Sequence, residues 1–284
     1  MKTSAGMKNI LHLASWYPNK NVPQEGDFIQ RQLKALAEFM PVYVITVFKD
    51  EHLKGGTFNI RHNSDGDLHE TIGYYNTRRF GTRTLNAAAS LFRYRRFYRQ
   101  LIRDHIKKHG VPDLIHLHVA FRASILLTWI EDEFKIPYVV SEHWSGYKAA
   151  DPGGFAKQPA YIRAIIKRTL SNANAIFPVS ESLREDMQKI VTGVRYEVVP
   201  NVVDETRFYP APLTEQKQKQ KKEKFRFLHV SGMGPEKQPE LLFRAFDEVR
   251  VKLNAELICV GAPPSGLENW TRKNIQYASD IRFR

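Results

Sequence analysis

The sequence predicts an α/β protein with parallel sheets, arranged as two domains of which the second is incomplete. Three observations predict it. Short apolar runs alternate with segments of helical periodicity along almost all of the 284 residues, a pattern produced by parallel sheets covered on both faces. The alternation breaks once, at Tyr209–Phe225, "YPAPLTEQKQKQKKEKF", an apolar-poor stretch rich in Lys and Gln that reads as a linker. Only about 60 residues follow it, far fewer than a doubly wound domain of two βαβαβ halves requires. The expected organisation is a first domain over 1–210, a linker over 211–224, and the start of a second domain over 225–284.

Taken in order, strands are expected at Ile10–Ala14, Val42–Phe48, Leu114–Leu117, Tyr138–Val140, Ala175–Val179 and Tyr196–Val199 in the first domain. Arg226–Val230 and Leu257–Val260 are the strands of the second. Phe28, Leu33, Leu36 and Phe39 share one stripe of a helix. Leu91, Tyr94, Tyr98, Leu101, Ile102 and Ile106 do so in a second helix, and Leu241, Leu242, Ala245, Phe246 and Val249 in a third. "TFNIRHN" and "LHETIGYYNTRRF" read as an inserted hairpin or edge strand.

Hydrophobic content of 42% supports a packed core. The single cysteine, Cys259 in "AELICV", reads as a buried thiol, and one cysteine permits no internal disulfide, as in a reducing compartment. No run of about 18 apolar residues or cleavable leader is visible, so a cytoplasmic location is expected, with Met7 as an alternative start. The net charge of +13 calls for an anionic partner. Segment 78–108 alone carries ten Lys or Arg against Asp104. Two readings of it stand, a solvated helix face and a lipid-facing one.

Ligands of open parallel sheets bind beyond the carboxyl ends of strands. After the first strand, Gly26 precedes a helix and Asp27 with Gln30 fits a capping box. Such a glycine lets backbone approach an anion closely at a helix start, and an ordinary capped loop is the alternative. His116 and His118 lie on one face of a strand, with no third metal ligand near in sequence. His118, nearer the strand end, is expected to be a polar site contact. Glu142-His143-Trp144 clusters an acid, an imidazole and an indole at another strand end and is the better site candidate. Ser180 and Ser182 sit at a helix start without a G-x-S-x-G elbow, so hydrolase chemistry has no support. In "FLHVSGMGPEKQPELLFRAF", Gly232-x-Gly234 opens a dinucleotide fingerprint that then lacks its third glycine and carries Lys237 instead. No acid stands at a strand end about 20 residues on, so a nicotinamide site is not expected.

The stretches "LASWYP…GDFIQRQLKAL", "DLIHLHVAF", "IPYVVSEHW", "IFPVSESLREDM" and "VPNVVDETRFYP", followed by the Gly232–Lys237 region, resemble in order a family 4 glycosyltransferase of the GT-B fold. The resemblance covers nearly the whole chain. It implies two Rossmann-like domains and retaining transfer of a sugar from a nucleotide diphosphate sugar to a glycan or lipid-linked acceptor. Surface polysaccharide or glycolipid synthesis is the usual setting, with no metal or other cofactor. Gly26 matches the glycine near the donor diphosphate, His143 the histidine that reaches the transferred sugar, and Lys237, beside Gly232, the lysine that pairs with the diphosphate. His118, Glu142 and Trp144 then belong to the acceptor-side cleft. Two departures stand out. The arginine usually found a few positions before the lysine is missing from Ser231-Gly232-Met233-Gly234. The family's paired glutamates, eight positions apart, have no counterpart in context. Glu240 and Glu248 belong to a polar helix stripe with Arg244, and Glu197 and Glu205 lie outside the second domain. The pair is expected beyond Arg284, and the chain as it stands is expected to have little or no transferase activity.

A basic nucleic-acid-binding protein is the reading from another class. The charge is concentrated on one helix and no binding motif accompanies it, so nucleic acid is not an expected partner. The arginines of segment 78–108 flank Phe92, Tyr94 and Tyr98. An anionic membrane surface is therefore the expected contact if the stripe faces lipid, putting the protein on the inner membrane face. If the stripe packs on the sheet, the arginines are simply solvated. A non-catalytic binder of such a surface is the alternative function.

Overall fold

The structure, a computed structural model, describes residues 9–78, 81–148, 151, 153–206, 208–210 and 224–284. They form two compact units, divided between Val203 and Asp204. Nearly all of the proposed linker, 211–223, lies outside the described residues.

The first unit is a seven-stranded sheet of order β3-β4-β2-β1-β5-β6-β7. Its strands are β1 (Ile10–Ala14), β2 (Val42–Lys49), β3 (Phe58–Asp65), β4 (Leu68–Tyr75), β5 (Leu114–His118), β6 (Tyr138–Glu142) and β7 (Ala175–Pro178). All neighbours are parallel except β3 and β4, which form an antiparallel hairpin with β3 at the edge. The expected strand at Tyr196–Val199 runs beside β7 as one isolated bridge, Ile176 to Tyr196.

Residue alternation sorts the sheet into two faces. Leu11, Leu13, Ile45, Val47, Ile115, Leu117 and Val140 pack under helices α2 (Arg83–His109), α3 (Leu127–Phe134), α4 (Ala160–Ser171) and α5 (Glu181–Gln188). Val42, Val44, Leu68 and Ile72 pack under α1 (Asp27–Ala37) through Ile29 and Leu33. Phe39 falls beyond the end of α1 and is 84% exposed, so it leaves the expected stripe.

Helix α2 begins at Thr82, whose hydroxyl accepts the Leu85 amide. Its aromatic stripe packs inward. Tyr94, Phe97, Tyr98, Leu101 and Ile102 are buried, and the Tyr98 hydroxyl donates to the Ile45 carbonyl. Arg93 lies over Phe58 and donates to the Gly56 carbonyl. Arg99 and Arg103 stack on Trp129, and Arg103 pairs with Glu133. Tyr94 and Tyr98 therefore face the sheet, and of the three aromatic residues expected at lipid only Phe92 remains exposed.

The second unit has three parallel strands in the order β10-β9-β8: β8 (Phe225–Val230), β9 (Ala255–Val260) and β10 (Ile281–Phe283). Helices α6 (Pro239–Lys252) and α7 (Leu267–Asn274) accompany them. Cys259 is buried, which pushes its thiol up to about 11. The packed stripe of α6 is rotated from the expected one. Phe243 and Phe246 are buried, whereas Leu241 is exposed. Phe243 lies edge-on to Phe283, so the β10 side of the sheet sets which face turns inward.

Candidate functional site

The loop after β1 is tied down at several points along the carboxyl edge of the first sheet. Ser15 Oγ donates to the Val119 carbonyl and accepts the Ala123 amide. The Tyr17 hydroxyl donates to Glu70, and Asn19 Oδ1 accepts the Asn21 and Val22 amides. Lys20 pairs with fully buried Asp50, which helps hold that carboxyl below its ordinary range although burial pushes the other way.

The loop ends at Gly26, with φ +63°, as the residue preceding the first turn of α1. A Cβ there would lie 2.6 Å from the Trp16 carbonyl carbon and 2.8 Å from the Tyr17 nitrogen. Both the left-handed backbone and the close approach require glycine. The expected capping box does not form. Gly26 is itself the cap, Asp27 pairs with Arg31, and Gln30 donates to Glu70. Glu70 sits on the neighbouring β4 and competes for Gln30. No side chain caps α1, so its first amides can meet an anion. Gly26→Ala should destabilise the protein by about 2–3 kcal/mol. Urea denaturation measures it, and an unchanged midpoint would show that the loop can shift away from Trp16.

Three strands away from β2, His143 follows β6 and meets Phe28 of α1, ring centroids 4.6 Å apart. This contact joins the start of α1 to the end of β6. Both ring nitrogens of His143 are buried and have no hydrogen-bond partner among the described residues. Burial lowers its pKa to about 4, so the imidazole is neutral at pH 7. The side chain as a whole is half-buried, with both nitrogens turned inward, an arrangement that marks it as a candidate site residue.

Glu142 is 0% exposed and lies beneath this surface. It accepts from the amides of Ala120 (2.9 Å), His143 (3.0 Å) and Trp144 (3.1 Å) and from the Tyr147 hydroxyl (2.9 Å). Burial lifts its pKa while these donors pull it down. Its role is to bracket two loops. One of them contains Val119, whose φ of +65° is a strained value for a β-branched residue. His118 is likewise buried, at 2% exposure, whereas Trp144 is half-buried and meets Phe121 at 5.2 Å between centroids.

The structure supplies the third histidine that local sequence lacked. His12 of β1 is in register with His116 of β5, and one nitrogen from each of His12, His116 and His118 falls within 4.8 Å of the others. Residue type and spacing make this the group among the described residues that could hold a metal. The rings stack, His116 on His118 at 4.2 Å and His12 on His118 at 5.3 Å. His12 Nδ1 and His118 Nε2 share a hydrogen bond of 3.0 Å, and His116 Nε2 bonds Ser141 Oγ at 2.8 Å. Burial depresses all three pKa values, and neighbouring imidazoles, His143 among them, add to it, so the stack is neutral.

In the second unit, Lys237 closes a short 3-10 turn, Pro235–Lys237, and is exposed. The turn follows Met233 (φ +52°) and precedes Gln238 (φ +46°). Ser231 Oγ accepts the Met233 amide and bonds His229. A Cβ on Gly232 would meet nothing within 4 Å. The residue that demands glycine is Gly261, where a Cβ would fall 2.0 Å from the Ser231 carbonyl oxygen. The strand-turn-helix reading singled out Gly232, although the tight approach comes from the loop after β9.

Two α/β units, one with a mostly parallel and one with a wholly parallel sheet, define an α/β protein of the GT-B type. Solved structures share that fold. Sucrose-phosphate synthase from Thermosynechococcus elongatus matches with a TM-score of 0.68 at 15% identity, over 98% of this chain and 70% of that one. A structure described as trehalose-6-phosphate from E. coli bound with UDP-2-fluoro glucose matches with a TM-score of 0.61 at 13% identity, over 96% and 73%. The model of Glycosyltransferase Family 4 matches residues 30–207, and the chain belongs to that family. It is also 23% identical over 183 residues to alpha-monoglucosyldiacylglycerol synthase of Streptococcus pneumoniae (strain ATCC BAA-255 / R6), covering 61% of this chain. The chain spans 41% of that relative's length. The chain thus belongs to a family of glycosyltransferases.

Proposed function

We propose that the protein takes part in retaining transfer of a sugar from a nucleotide diphosphate sugar to a lipid-linked or glycan acceptor at an anionic membrane surface, without a metal. The observation that carries this reading is the Phe28–His143 contact, which brings an uncapped helix start at Gly26 beside a partnerless neutral imidazole. Two chemistries then adjoin. The amides after Gly26 favour a diphosphate, and His143 exchanges hydrogen bonds with sugar hydroxyls. Because His143 is neutral, it adds no cation to the departing diphosphate. Within the second unit, exposed Lys237 is a cation suited to a phosphate group. Glu142 and the histidine stack act from below as positioning groups. The glucosyldiacylglycerol relative supports a lipid acceptor. Among the described residues no helix is long and apolar enough to cross a membrane.

Saturation-transfer NMR with UDP-glucose, GDP-mannose and ADP-glucose tests the donor side. At least one should give a signal that its nucleoside diphosphate competes away and that Lys237→Ala reduces about tenfold, as loss of one charge-assisted contact implies. Silence from all three donors would overturn the reading. Where product forms, an anomeric configuration opposite to the donor's would overturn retention.

A further inference from the structure

We propose that a groove between α2 and α4 holds an acyl chain of a lipid acceptor, an inference that rests on the glycosyl-transfer reading. The groove encloses about 830 Å³ at the carboxyl ends of β2 and β4, a volume typical of ligand sites. Ala88 and Leu91 of α2 line one wall and Ile162 and Ile165 of α4 the other, with Phe121 and Ile125 at one end. The lining is mostly apolar.

Three features specify the occupant. The groove adjoins the candidate transfer point, because Phe121 is in ring contact with Trp144 and Trp144 follows His143. A lipid with its head group at His143 would run its chain across Trp144 and Phe121 into the groove. Apolar side chains in the lining keep solvent exposure: Tyr161 is 57% exposed, and Leu91, Ile162 and Ile165 are half-buried. Soluble surfaces normally limit such clustering. Charge complementarity completes the case. Arg122 lines the groove, is exposed, and has no carboxylate partner among the described residues. This charge favours an anionic lipid head group at the groove. The buried stripe of α2 therefore packs against the sheet, and lipid meets the protein at the helix's amino-terminal half through this groove.

The test is fluorescence titration of the full chain with 11-(dansylamino)undecanoic acid, kept below its micelle concentration. The wild type should bind it saturably with a blue-shifted emission. Ala88→Trp adds bulk at an exposed helix position and should weaken binding at least tenfold. Arg122→Glu should weaken it severalfold. Phe39→Ala, at an exposed apolar site on another element, should bind as the wild type does. Unaltered melting temperatures identify the first two effects as local. Absence of saturable binding, or equal affinities in Ala88→Trp and Phe39→Ala, would overturn the proposal. The nucleotide-sugar NMR signal on the same samples separates the two readings. Its persistence without acyl binding removes the groove alone. Acyl binding with no donor signal removes the acceptor assignment.

Discussion

Acidification from pH 7 to pH 4.5 should cost the protein about 7 kcal/mol, enough to unfold a typical domain. His143, His116 and His105 each have a pKa lowered to about 4, first by burial. The unfolded value is near 6.5, so below that pH the unfolded chain binds more protons than the folded one. Stability is complete above pH 6.5 and is lost as the pH falls toward 4. Each of the three contributes about 2–3 kcal/mol at pH 4.5. His12 and His118 shift in the same direction and add to the loss. Asp50, Glu256 and Asp280, held below the ordinary carboxylate range by their cationic partners, act at lower pH and form a separate window. Far-UV circular dichroism across pH 7 to 3 should show the transition between 6 and 4.5. His116→Asn should move it to lower pH. A fold intact at pH 4 would mean that water or rearrangement solvates the stack.

Glu142→Ala should destabilise the protein by about 4 kcal/mol. The substitution strands three buried amides and the Tyr147 hydroxyl, at about 1–3 kcal/mol for each unsatisfied group, with some recovered by entering water. It also frees the Ala120 amide beside strained Val119. That residue is otherwise held by Val119 N to the Ser141 carbonyl and by Ser15 Oγ to the Val119 carbonyl. Glu142→Gln should cost about half as much, because its amide oxygen keeps part of the bracket while its NH₂ faces other donors. Urea denaturation at pH 7.5 measures both. Equal losses in the two variants would mean that charge, rather than acceptor geometry, holds the loops.

Much of the site's frame was legible in the sequence. Parallel strands declare themselves as apolar runs, and their carboxyl ends can be read without coordinates, which is how Gly26, His143 and Lys237 came to attention. Faces were harder. The periodicity predicts a stripe of Leu241, Leu242, Ala245, Phe246 and Val249 on α6, of which Phe246 is buried and Leu241 and Ala245 are exposed; Phe243 turns inward because Phe283, forty positions on, packs against it. The Asp27–Gln30 box failed because Glu70 draws Gln30 across the sheet. His12 gave no local signal at all; only its register with His116 makes it part of the stack.

The sequence by itself determined the α/β class, most of the strand positions and the kinds of side chain available at each strand end. These follow from periodicity and residue type, which are local properties of the chain, while the family followed from the resemblance of its ordered motifs. Only the tertiary structure decided that Glu142 and His118 are buried, that α2 turns Tyr94 and Tyr98 toward the sheet, and that Phe28 brings His143 to the start of α1. Each depends on which distant strand or helix competes for the same face, buried donor or hydrogen bond. Packing across the sheet settles that competition, and no spacing along the chain encodes it.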